Sequence, residues 1–203
     1  MNRLFPCSIF SLGLFTFSLG LSLAQQTTTL NGVLQVDGEV AEATRVGIHL
    51  VDRDGAFQTE VASVTPVGGT FSLSSSDVTG TALQPFRSGS MLFPGLQNEY
   101  AVEPADVNYL RALVTPYVDV NANGVFDGPA TDQSYIGVAS LEEPIGFFSL
   151  VYVDKAATVT GKGAVLEFSP GWNIFTVRYP EEGDPSYQVE AVVEDVVLDV
   201  FLP

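Results

Sequence analysis

The chain has 203 residues, 46% of them hydrophobic, and sets eight Lys and Arg against 24 Asp and Glu for a formal net charge of −16. That balance excludes a nucleic-acid partner, because a phosphate-binding surface needs clustered basic side chains. It equally excludes electrostatic attachment to anionic lipid. A single cysteine and a single histidine exclude an intrachain disulfide. They also leave too few ligands for zinc or copper, whose sites draw on several His or Cys.

The amino end reads as a secretory signal. One positive charge, Arg3, precedes an apolar stretch from Leu4 to Leu23, and the stretch ends Ser22-Leu23-Ala24-Gln25. Small residues at Ser22 and Ala24 occupy the −3 and −1 positions of a signal peptidase site. Cleavage is therefore expected after Ala24, with an extracytoplasmic destination: periplasmic, cell-surface or secreted. Cleavage would remove Cys7 and Arg3, leaving seven basic residues against 24 acids over 25–203, a net of −17. A chain of that length can bury a core without disulfide staples. One domain over 25–203 is expected, with no integral membrane segment after cleavage.

From Leu30 onward apolar residues alternate with polar ones between turn residues, the signature of strands. Leu30–Val36 alternates and runs into the turn pair Asp37-Gly38. Arg45–Val51 places Val46, Ile48 and Leu50 on one face and His49 on the other, where a solvent-facing or hydrogen-bonded histidine is expected. Asp52-Arg53-Asp54-Gly55 supplies the next turn, and Val61–Val64 and Gly69–Leu73 extend the series. Residues 74–99 carry three serines in a row, two prolines and few periodic apolar positions, and read as a long surface connection. Strands resume near Tyr109, where Pro116 suggests an edge strand or a bulge. Further strands are expected over Phe147–Val153, Ala164–Phe168, Trp172–Tyr179 and Tyr187–Leu202, the last as two strands or one bent one. The fold class is all-β, an antiparallel β-sandwich.

The opening stretch sharpens this expectation. Gly32–Gly38, then Arg45–Val51, then Asp52-Arg53-Asp54-Gly55, then Gly69-Thr70-Phe71-Ser72-Leu73 resembles the transthyretin-like, or carboxypeptidase-regulatory-like, sandwich, an Ig-like architecture. The resemblance spans about residues 30–75. It implies accessory, structural or adhesive roles and brings no catalytic residues.

One motif carries specific chemistry. Asp119-Val120-Asn121-Ala122-Asn123-Gly124-Val125-Phe126-Asp127 fits D-x-N-x-N-G-x-x-D and resembles the calcium loops of EF-hands and dockerins. Calcium takes six to eight oxygen ligands. By position, Asp119, Asn121 and Asn123 supply side-chain oxygens, Gly124 allows the sharp turn, and Val125 offers its carbonyl. Asp127 binds directly or through water. The twelfth loop position is Ala130, where an EF-hand has a bidentate Glu, and Asp132 is the candidate to take its place. The alternative is an ordinary polar turn, since Asp, Asn and Gly are the usual turn residues. The flanks read as strands, so the expectation is an EF-hand-like loop on a β scaffold with a structural Ca²⁺.

Other features read more plainly. Glu142-Glu143 and Glu181-Glu182-Asp184 read as solvated turns, because adjacent carboxylates on a strand point to opposite faces. Trp172 is read as a core anchor, with a sugar-stacking platform as the alternative. No G-x-S-x-G occurs to partner His49. The reading is therefore a non-enzymatic exported protein with a calcium loop, working with a cell-envelope or surface-layer protein or glycan. The alternatives are a carbohydrate-binding module using Trp172 and a carboxylate-dependent hydrolase using acids of 74–99 and 119–132.

Overall fold

The computed structural model of the chain describes residues 25–36, 41–52, 54–76, 78, 81–90, 96, 99–142 and 144–201. The expected signal, residues 1–24, lies outside them. The described chain is all-β, with no helix. The strands are β1 (Thr29–Val36), β2 (Thr44–Val51), β3 (Phe57–Val64), β4 (Thr70–Ser74), β5 (Gln84–Pro85), β6 (Ala101–Glu103), β7 (Asn108–Val118) and β8 (Gln133–Ser134). They continue with β9 (Ile136–Leu141), β10 (Gly146–Val153), β11 (Ala157–Gly161), β12 (Ala164–Phe168), β13 (Gly171–Arg178), β14 (Ser186–Glu190) and β15 (Val192–Phe201).

Hydrogen bonding links most of these into one sheet in the order β3-β2-β7-β10-β9-β15-β1-β4, with β13 and β14 continuing from β10. The sheet folds over itself at the β9–β10 turn, where Gly146 pairs with Leu141. Its two halves enclose the first core: Leu30, Phe71, Leu141, Val196 and Leu198 face Ile48, Leu50, Leu150, Trp172 and Ile174. A separate sheet, β12-β11-β6, covers the reverse face of β7, β10 and β13. A second core lies beneath it, built from Phe86, Tyr109, Val151, Val153, Val159, Phe168 and Phe175. Covered on both sides, β13 is buried from Gly171 through Val177, and it reads as a near-continuous apolar run instead of an alternating one.

Three expectations change. Tyr187–Phe201 holds two strands, β14 and β15, one of the two arrangements expected, but β15 runs parallel to β1, with Val33 opposite Val197. Among the named strands the sandwich is therefore antiparallel except for this pair, which a long crossover joins. Residues 74–99 are only partly a surface connection. Phe86 and Leu96 are completely buried, and Phe86 stacks on Tyr109 with ring centroids 4.9 Å apart, because the back of β7 offers apolar surface. Pro116 lies in a central strand, opposite Val46 of β2. Its carbonyl accepts the Tyr135 N–H at 3.1 Å, and a strand residue's nitrogen and carbonyl point the same way. Its nitrogen therefore faces β8, whose ladder begins only at Tyr117, and no bond to β2 is lost.

Candidate metal centre

Loop 119–132 leaves the end of β7 and returns to β8. Asp119 fixes its start: its N–H donates to the Ala43 carbonyl at 3.0 Å, tying the loop to the entry of β2. Two left-handed residues then curl the chain, Ala122 at φ 57° and Gly124 at φ 82°, a region where glycine carries no steric penalty. Nothing lies within 4 Å of a Cβ built on Gly124. The requirement for glycine there is conformational, not spatial.

The side chains close this curl. The Asp119 carboxylate accepts the N–H of Asn123 at 3.1 Å and of Gly124 at 2.7 Å. Asn121 Oδ1 accepts the Asn123 N–H at 3.2 Å, and Asn123 Oδ1 the Val125 N–H at 2.9 Å. From the far end, Asp132 accepts the N–H of Val120 at 3.0 Å and of Asp127 at 2.7 Å. Asp127 Oδ2 in turn accepts the amides of Asn121 at 2.8 Å and Asn123 at 2.6 Å. The structure thus brings Asp119, Asn121, Asn123, Asp127 and Asp132 into one network. Val125 joins it through its backbone, with its side chain exposed.

Charge is the notable property of this network. Asp119 and Asp132 are 5% and 1% exposed, and among the described residues no Lys or Arg pairs with them or with Asp127. A buried carboxylate needs hydrogen bonds or a counter-ion. Here each of the two buried ones has two backbone donors and no counter-ion. The donor set is wholly oxygen, which fits a hard cation such as calcium and not a softer metal. Among the described residues, no three His, Cys, Asp or Glu side chains converge closely enough to hold a metal by themselves. A bound cation would therefore draw on the two asparagine oxygens and on carbonyls, with Asp127 released from the two amides.

The middle of the loop folds back over the outer face of β2 and β3. Phe126 packs edge-on against His49, Phe57 and Tyr117, with ring centroids 5.0, 5.6 and 5.1 Å away. Its N–H donates to Glu60 Oε2 at 3.2 Å, and Tyr117 donates its hydroxyl to the same oxygen at 2.7 Å. Ser63 donates to Glu60 Oε1 at 2.8 Å and is itself held by Arg45 Nη2 at 2.9 Å. Burial, reinforced by Glu60, pushes the Tyr117 phenol up to about 12.

This fold-back corrects the reading of His49. The residue is 1% exposed, and neither ring nitrogen has a hydrogen bond, because the loop covers the strand face expected to meet solvent. Burial holds the imidazole below its ordinary pKa, partly offset by the Glu60 charge and by the polar Thr115 backbone near the ring, which neither nitrogen meets at hydrogen-bonding geometry. Glu60 and Phe57 lie outside the Val61–Val64 strand that the alternation predicts, whereas β3 begins at Phe57. Trp172 is 1% exposed and donates its indole N–H to the Ser76 carbonyl at 2.8 Å. It has no face to offer a sugar. Glu142, Glu181, Glu182 and Asp184 are exposed.

Comparison with protein-family models, with curated proteins and with solved structures finds no match to this chain.

Proposed function

We propose that this is an exported, non-enzymatic sandwich protein whose loop 119–132 binds a structural calcium ion, and that it serves as an interaction or accessory component of the cell envelope or surface layer. The observation that carries the metal reading is the pair of buried carboxylates, Asp119 and Asp132, held without a counter-ion at the two ends of an all-oxygen loop. The spacing of Asp119, Asn121, Asn123, Gly124 and Asp127 supports an EF-hand-like ligand order. Extracellular modules hold calcium at about 10⁻⁴ to 10⁻³ M, which suits an ion that stiffens a loop. The resemblance of Gly32–Leu73 to transthyretin-like sandwiches, which brings no catalytic residues, supports an accessory role over a catalytic one.

Amide NMR spectra recorded with and without calcium test the metal reading. Calcium is expected to move the Asn123, Gly124 and Val125 amides and leave β13 in place. Identical spectra would remove the reading. Export is checked by amino-terminal sequencing of the protein recovered outside the cytoplasm, which should begin at Gln25. A chain still carrying residues 1–24 would count against it.

A further inference from the structure

We propose that Asn123 is a site of spontaneous deamidation, and that the fold directs the modification to it. In an Asn-Gly pair the next backbone nitrogen can reach the asparagine carboxamide freely, because glycine has no Cβ to crowd the approach. The sequence contains the pair twice, at Asn31-Gly32 and at Asn123-Gly124, and the structure separates the two. Asn31 lies within β1 opposite Ser72 of β4, and Gly32 pairs with Phe71 on one side and Val196 on the other. A Cβ built on Gly32 would run into the Val196 carbonyl and the Phe71 ring. The chain there is packed on both sides and has no room to bend into an imide. Asn123 is exposed, and nothing lies within 4 Å of a Cβ built on Gly124. Asn121, in the same loop, is followed by Ala122, whose methyl group hinders the same step.

The step needs no oxidant or reductant. The Gly124 nitrogen loses its proton to water and attacks Asn123 Cγ. The new C–N bond closes a succinimide ring, the Cγ–Nδ2 bond breaks and ammonia leaves. Water then opens one or other imide carbonyl, giving aspartate or isoaspartate. The sum is one water consumed and one ammonia released. The loop restrains this reaction without preventing it. Gly124 donates its N–H to Asp119 Oδ2 at 2.7 Å, Asn123 Nδ2 donates to Asp127 Oδ2 at 2.6 Å, and Asn123 Oδ1 accepts the Val125 N–H at 2.9 Å. Attack requires these bonds to open, and an exposed loop opens at far lower cost than a strand paired on both sides. Isoaspartate adds one atom to the main chain between Asp119 and Asp127, which disturbs the ligand spacing of the calcium loop. That consequence rests on the calcium reading; the modification itself does not.

The test is peptide mapping by mass spectrometry. The chain from Gln25 is incubated at physiological temperature and mildly alkaline pH in chelator, with parallel incubations in urea and in saturating calcium. Deamidation is read as the mass gained when NH is replaced by O, located on the residue by fragmentation. Isomerisation at the Asp-Gly pairs leaves the mass unchanged and does not register. In the folded protein Asn123 should deamidate at least about tenfold faster than Asn31. In urea, which removes the strand pairing around Asn31, the two rates should come within about threefold of each other. Asp127→Ala, at an exposed position, frees the Asn123 amide and should speed Asn123 about threefold or more while leaving Asn31 unchanged. An Asn123 that stays intact in the folded chain, or one that reacts no faster than Asn31 there, would overturn the assignment. An unaltered rate in Asp127→Ala would overturn the restraint by the loop. Calcium should slow Asn123 alone; indifference to calcium with Asn123 still ahead of Asn31 counts against the calcium reading and upholds the site.

Discussion

Asp132 is the residue on which the closure of loop 119–132 depends. It stands two positions beyond the twelfth position of the motif, yet it is almost completely buried and accepts two backbone N–H groups twelve and five residues away. Replacing it with Ala removes two charge-assisted hydrogen bonds, each worth about 1.5–3 kcal/mol. Val120 and Asp127 are exposed, so water can recover part of that loss, and a net cost of roughly 3 kcal/mol is expected. For a domain of this size each kcal/mol moves Tm by about 2–4 °C, which makes the expected fall roughly 6–12 °C. Asp132→Asn keeps one acceptor oxygen and should cost about half as much. The assay is thermal unfolding in chelator, so that no metal contributes. A fall of less than about 2 °C for Asp132→Ala would show that the two bonds do not hold the loop, and the argument from buried carboxylates would fail with them.

Three further outcomes follow from the same geometry. Gly47→Ala should destabilise by about 1–3 kcal/mol, because its Cβ collides with the buried His49 ring; the cost should shrink in a His49→Ala background, and a strictly additive double mutant would refute the collision. His49→Phe should flatten the pH dependence of stability. The folded imidazole titrates below the ordinary 6.5, so the unfolded chain binds the proton first, and wild-type stability is full above that value and declines as pH falls toward the folded one. The slope is up to about 1.4 kcal/mol per pH unit, and superimposable pH–Tm profiles of wild type and variant would contradict it. Trp172→Phe should cost about 2–4 kcal/mol in urea unfolding, since it opens a core void and removes the indole hydrogen bond to the Ser76 carbonyl; a change within error would place the indole outside the core.

Local pattern carried much of the fold. The Val46, Ile48 and Leu50 alternation gives the inward face of β2, and the Asp-x-Asn-x-Asn-Gly run gives the curl of loop 119–132, because both are set by neighbours in sequence. What could not be read was set by distant segments. Nothing near His49 announces that Phe126 will fold over it, 77 positions on in the numbering. Nothing in Tyr187–Leu202 announces that its second half will pair in parallel with the first strand. Pro116 misled for a related reason: the rule that removes proline from central strands depends on which side its nitrogen faces, and only the short length of β8 settles that. Asp132 was legible as a carboxylate near the motif. That it is buried and closes the loop emerges only from Gly128–Asp132, where the chain turns back with the Asp132 N–H on the Gly128 carbonyl at 2.9 Å.

Calcium titration by calorimetry, paired with melting curves, tests the central claim most directly. The chain from Gln25 should release or absorb heat with about one equivalent of calcium and a dissociation constant near 10⁻⁴ to 10⁻³ M. At calcium tenfold above that constant, stability should rise by about 1.4 kcal/mol, raising Tm by roughly 3–6 °C. The paired variant Asp119→Ala with Asp127→Ala should lose both the heat and the shift. A wild-type protein that gives neither heat nor a change in Tm would contradict the calcium loop.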